Sequence, residues 1–175
     1  MTTLKSTARN QTMMRRQQLG LTIIELMITL VVAAILLTIA VPSMQAMIRN
    51  NRLTTQANTF VATLQYARSE AIKRRANLRI LSADGTADWE TGWRVWVDKD
   101  NDNTVDDEER LRVQEALSGG NRLTPSGGET FIEYGADGFV NAPFTADLCH
   151  EPGLKGRRIS VSVTGRVTTE RDYDC

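Results

Sequence analysis

Residues 15–41 read RRQQLGLTIIELMITLVVAAILLTIAV, and this stretch decides how the rest of the chain is organised. Residues 26–41 carry no charge, and the apolar run extends back to Leu21 with one interruption, Glu25. As a helix, the 21 residues from position 21 to 41 would be about 31 Å long, which matches the hydrocarbon thickness of a bilayer. Before the run stand Lys5, Arg9, Arg15 and Arg16, with no acid in the first twenty positions. Basic residues ahead of a span keep the N-terminus cytoplasmic and send the C-terminal bulk of the chain across the membrane. A cleaved secretory signal, with Thr38-Ile39-Ala40 as its cleavage site, and an ordinary single-pass anchor share this pattern. Glu25 fits neither, because an acid in a spanning helix costs free energy and marks a functional position whose partner must be named.

Outward from this segment, the chain of 175 residues has room for one ordinary domain plus a tail or anchor. Hydrophobic residues make up 41% and charged residues 24%, a globular composition that calls for a packed core. The formal charge of zero conceals an asymmetry, since removal of the first twenty residues leaves 17 basic against 21 acidic side chains. That balance argues against a general nucleic-acid-binding surface, which needs clustered excess cation.

Beyond Pro42 a helical pattern resumes. Met44, Met47, Ile48, Ala57, Phe60, Val61, Leu64, Ala67, Ala71 and Ile72 recur at spacings of three and four, and Arg49, Arg52, Gln56, Arg68, Lys73, Arg74 and Arg75 occupy the other face. The apolar and methionine positions are expected to be core. Helix is expected from 21 to about 76, bent or loosened at Pro42, which lacks a backbone donor. After Asn77 the period changes to two, and strands are expected at 78–82, 92–98, 110–117, 130–134, 158–163 and 166–169, the last two joined by a Thr164-Gly165 turn. A long helix followed only by strands defines an α+β fold: a membrane-embedded first helical half and an amphipathic second half packed on an antiparallel, sandwich-like sheet domain. The organisation expected is a basic leader at 1–20, a membrane helix at 21–42 and a globular domain at 43–175.

Cys149 and Cys175 are the two cysteines. In a domain exported from the cytoplasm they read as a disulfide; free thiols are the alternative, and zinc would need more ligands than His150 can add. The run from Asp98 to Glu109 matches a calcium loop at Asp98, Asp100, Asp102, Thr104, Asp106 and Glu109. Strands flank it where helices should, so an Asp/Asn-rich turn is expected there and no metal. Lys155, Arg157, Arg158, Arg166 and Arg171 form a basic tail, offset by Glu151, Glu170, Asp172 and Asp174. No nucleophile and base set, phosphate loop or zinc spacing is present, so neither an enzyme nor a cofactor is expected.

Arg15-Arg16-Gln17-Gln18-Leu19-Gly20 followed by Leu21-Thr22-Ile23-Ile24-Glu25 resembles the type IV prepilin processing site, and Pro42 falls where pilin helices commonly carry a proline. The resemblance implies cleavage by prepilin peptidase between Gly20 and Leu21, N-methylation of Leu21, and retention in the inner membrane with the C-terminal domain in the periplasm. It further implies that Glu25 pairs with the N-terminal amine of a neighbouring subunit during assembly with major and minor pilins. Leu21 departs from the phenylalanine usual at that position. Trp93-Arg94-Val95-Trp96-Val97-Asp98, an acidic loop and Thr164-Gly165-Arg166-Val167 are similar to the FimT/FimU/GspH group of minor pilins and pseudopilins. This implies a minor pilin at or near the filament tip, with a type II secretion pseudopilin or a DNA-uptake pilin as alternatives. FimT-like DNA binding would use Arg157, Arg158 and Arg166, but Gly165-Arg166-Val167-Thr168 lacks the second arginine of that group's GRxR motif, and DNA is disfavoured.

Overall fold

The computed structural model describes residues 22–99, 106 and 108–175, so the leader positions 1–20 and Leu21 lie outside the described residues. The chain divides into two units, Met1–Pro42 and Ser43–Cys175. One helix, α1 (Ile23–Arg74), carries Pro42 in its interior. Every described residue up to Met47 is exposed, whereas Leu53, Ala57, Phe60, Thr63, Leu64, Ala67 and Ala71 form the buried stripe of the second unit. The expected core positions Met44, Met47, Ile48 and Ile72 are instead 65%, 65%, 46% and 48% exposed. For Met44, Met47 and Ile48 the period is right but the burial starts one or two turns later, at Leu53, because helical spacing marks a face and not how far along it the sheets reach; Ile72 lies at the edge of the buried stripe, beside Ala71.

After α1, Arg75 takes a left-handed conformation (φ 55°) that ends the helix. Eight strands follow: β1 (Leu78–Ser82), β2 (Trp93–Val97), β3 (Arg110–Gln114), β4 (Arg122–Pro125), β5 (Phe131–Tyr134), β6 (Phe144–Cys149), β7 (Lys155–Val161) and β8 (Val167–Asp174). They form two sheets, β3-β2-β1-β5 and β4-β6-β7-β8, with all pairs antiparallel. This is the α+β fold read from the pattern, with two strands more than expected. β4 ends on Pro125 at a sheet edge and follows two glycines, which hides it. β6 does alternate, burying Phe144, Ala146 and Leu148, but opens directly after Pro143. The Thr164-Gly165 turn joins β7 to β8, and Gly165 at φ 73° supplies the left-handed residue it needs.

The core of this domain is centred on Phe60 of α1. Its ring meets Trp89 and Trp93 edge-on, with centroids 5.7 and 5.0 Å away, and Phe144 at 6.2 Å. These rings come from the helix, the first sheet with its connecting loop, and the second sheet, so the cluster ties the layers together. The polar edges are satisfied: the Trp93 indole donates to Thr63 Oγ1 (3.2 Å) and the Trp89 indole to the Glu129 carbonyl (2.8 Å).

Candidate functional site

At the start of α1 the residues form a cap. The Thr22 hydroxyl accepts from the Glu25 amide at 3.3 Å, and the Thr22 carbonyl accepts from Leu26 N at 3.1 Å. Thr22-Ile23-Ile24-Glu25 thus has capping-box spacing, with a carboxylate in the first turn where the helix dipole favours negative charge. Glu25 therefore stands at the mouth of an apolar helix. From Ile23 to Val41 the large side chains are between 47% and 82% exposed. Thr29 and Thr38 return their hydroxyl protons to the carbonyls of Leu26 and Ile35, leaving little polar surface unpaired along the run. The helix is long and apolar enough to cross a membrane, with a mean hydropathy of 2.7 in its most apolar window. An apolar surface of this extent calls for lipid or other helices around it.

The second feature is a disulfide. Cys149 at the end of β6 and Cys175 are joined, with Cα atoms 5.9 Å apart and a separation of 26 positions in sequence. The bridge crosses over Gly156 of β7: a Cβ there would collide with Cys175 Sγ and would lie 2.6 Å from the Leu148 carbonyl and 3.1 Å from Cys149 Sγ. Only glycine leaves room for it. The staple fixes the last strand, β8, which is a sheet edge with mostly exposed side chains and would otherwise fray.

The basic tail is dispersed by the fold. Arg157 is 6% exposed, and its guanidinium donates to Asn50 Oδ1 (2.6 Å) and Thr54 Oγ1 (3.3 Å) of α1 and to the Gly156 carbonyl (2.8 Å). Arg158 makes a two-pronged pair with Asp147 (2.7 and 2.9 Å) and donates to the Tyr173 hydroxyl (2.5 Å). The Asp147 hydrogen bond raises the Arg158 pKa further above its already high value. Arg166 is exposed. Two of the three arginines thus hold strands and helix together. Sequence spacing did not reveal this, because a buried arginine is recognised only by the acceptors around it.

In the calcium-like run, Asp100, Asp102 and Thr104 lie outside the described residues, and Asp106 is exposed. Glu109 is 4% exposed, with one carboxylate oxygen accepting from the Trp96 indole (2.9 Å) and the other from the Lys99 amide (2.6 Å). That carboxylate closes the end of the β2–β3 connection over Trp96. Among the described residues no three His, Cys, Asp or Glu side chains are grouped to hold a metal.

A helix apolar on its exposed sides, opening on a capped glutamate and followed by a two-sheet antiparallel domain, is a pilin-like arrangement. Residues 56–165 match the family described as Type II transport protein GspH, and residues 15–41 match the Prokaryotic N-terminal methylation motif. The chain belongs to the GspH family. Among solved structures it is similar to the type IV minor pilin FimU of Pseudomonas aeruginosa PAO1 in two crystal forms. Identity is 24% in both; TM-scores are 0.60 and 0.57, covering 71% and 68% of this chain and 92% and 93% of that one. Comparison with curated proteins gives no match.

Proposed function

We propose that this protein is a structural minor pilin, not an enzyme. Prepilin peptidase cuts it between Gly20 and Leu21 and leaves Leu21 as the N-methylated terminus. The apolar half of α1 holds the subunit in the inner membrane with Ser43–Cys175 in the periplasm, and the subunit then joins major and minor pilins at or near the filament tip. The observation that carries this reading is the exposed apolar run entered through Glu25. A carboxylate buried among helices is costly alone, and pairing with a neighbour's terminal ammonium offsets that cost, so docking is favoured over isolation. Pro42 loosens the helix between the two halves, since its ring removes one backbone hydrogen bond. N-terminal mass spectrometry of protein from native membranes should show methylated Leu21 first. A start at Met1 or after Ala40 would refute the proposal.

The match to the GspH family favours a second reading, a type II secretion pseudopilin, whereas the likeness of fold to FimU supports the pilus. Recovery of the subunit in sheared surface pili would decide for the pilus, and its retention with secretion-channel components for the pseudopilus. DNA uptake draws little support from a tail in which Arg157 and Arg158 are spent within the fold.

A further inference from the structure

Strand register sets the outer face of the second sheet. Arg122 stands opposite Cys149, Thr124 opposite Asp147, and Asp147 opposite Arg158. The alternate residues Leu123, Leu148 and Ile159 are buried, so these polar side chains face outward. Over the disulfide end of this face lies a depression of about 540 Å³, within the size range of small-molecule sites. It offers both donors and acceptors. The Arg122 guanidinium and the Thr124 hydroxyl have no partner among the described residues, and the Tyr173 hydroxyl, which accepts from Arg158, has no acceptor there for its own proton. Asp147 accepts one bond from Arg158 on each oxygen and keeps a further lone pair on each. His150 adds an acceptor whose orientation is forced from α1. Gln56 Nε2 donates to the Ser118 carbonyl (2.9 Å), Gln56 Oε1 accepts from Asn121 Nδ2, and Asn121 Oδ1 is left to accept from His150 Nδ1 (2.9 Å). Neutral His150 therefore carries its proton on Nδ1 and presents the Nε2 lone pair, 3.7 Å from Glu151 Oε1.

We propose that this depression binds a saccharide, an activity beyond that of a filament subunit. The charges in and beneath it cancel, Arg122 and Arg158 against Asp147 and Glu151. An anion would meet both carboxylates and a cation both guanidiniums, so a neutral ligand is selected. A sugar hydroxyl both donates and accepts, which suits a site that supplies acceptors and donors together. His150 Nε2 and Glu151 Oε1, two acceptors 3.7 Å apart, can each take the proton of one of two neighbouring hydroxyls. A divalent metal could use the same two lone pairs, but among the described residues no third His, Cys, Asp or Glu is grouped with them, and the Arg122 charge opposes it. Pro152, the Tyr173 ring and the disulfide supply apolar surface for the C–H face of a sugar ring. An apolar side chain would cover Asp147 and Glu151 without pairing them, a desolvation cost that hydroxyls avoid.

The test is saturation-transfer-difference NMR on the full chain in phospholipid nanodiscs, which avoids sugar-headed detergents; empty discs supply the blank. The methyl glycosides of glucose, galactose and mannose, and N-acetylglucosamine, are offered one at a time, with sorbitol as an open-chain polyol and triglycine as a peptide. Saturation should pass to at least one pyranoside and to neither control. Arg122→Ala and Glu151→Ala change exposed side chains and leave the fold in place, and each should lower the transfer about fivefold. Arg166→Ala, at the β7–β8 turn and outside the depression, should leave the signal unchanged. No transfer to any pyranoside overturns the proposal. So does equal transfer to sorbitol, transfer to triglycine in place of the sugars, or a sugar signal that survives both substitutions, which would put the sugar elsewhere on the protein.

Discussion

Tyr134 of β5 offers a prediction whose size follows from burial. Its side chain is fully buried, opposite Leu78 of β1, and its hydroxyl has no hydrogen-bond partner among the described residues. Burial raises its pKa from 10 to about 12, with the nearby Arg68 charge pulling weakly the other way. In the unfolded chain the phenol loses its proton near pH 10. The folded protein holds that proton more tightly, so the associated stability is complete below pH 10 and is lost as pH rises toward 12. The loss is about 1.4 kcal/mol per pH unit, or roughly 2 to 3 kcal/mol in total. Tyr134→Phe removes both the titration and a buried hydroxyl that lacks a partner. Since such a group costs on the order of 1 kcal/mol or more, the variant should be at least as stable as the parent at pH 7. Urea unfolding of Ser43–Cys175, which contains every buried residue described, can be followed by tryptophan fluorescence at pH 7, 10 and 11.5. Other tyrosines and lysines titrate equally in both proteins, so the difference isolates Tyr134. The variant's advantage should widen by about 1.5 kcal/mol between pH 10 and 11.5. A variant clearly weaker at pH 7, or a difference that stays constant to pH 11.5, would refute the reasoning.

Gly156→Ala should prevent closure of the Cys149–Cys175 bridge, because the new methyl occupies the space of the sulfurs. Thiol titration should then find two free cysteines, with a loss of roughly 3.5 kcal/mol expected for opening a loop of this length. Trp96→Phe should lower stability by about 1 to 3 kcal/mol, since it removes the buried indole hydrogen bond to the Glu109 carboxylate. The further change Glu109→Gln should recover part of that loss in a double-mutant cycle, whereas additive losses would mean that the contact carries no energy.

Much of this protein was legible in one dimension because its governing constraints are local. A run of 21 residues with one acid reads as an apolar helix whatever surrounds it. A change of period from 3.6 to 2 separates the helix from the sheets, and Cys149 and Cys175 follow from counting and export. Other features depended on which chain segments meet. The helical pattern could not say that burial begins at Leu53, because Met44, Met47 and Ile48 have the same spacing and differ only in having no sheet opposite them. Arg157 and Arg166 are alike as letters. One is surrounded by Asn50, Thr54 and a carbonyl from 107 or fewer positions away, and the other faces solvent. Glu109 sits in a sequence that invites calcium, yet an indole thirteen residues earlier claims its carboxylate. The sequence by itself determined the apolar helix, its glutamate, the order of helix before strands and the cysteine pair, since each rests on spacing along the chain. Only the tertiary structure decided which arginines are spent, where the core begins and what the Glu109 carboxylate holds, because partners and burial are properties of packing between distant segments.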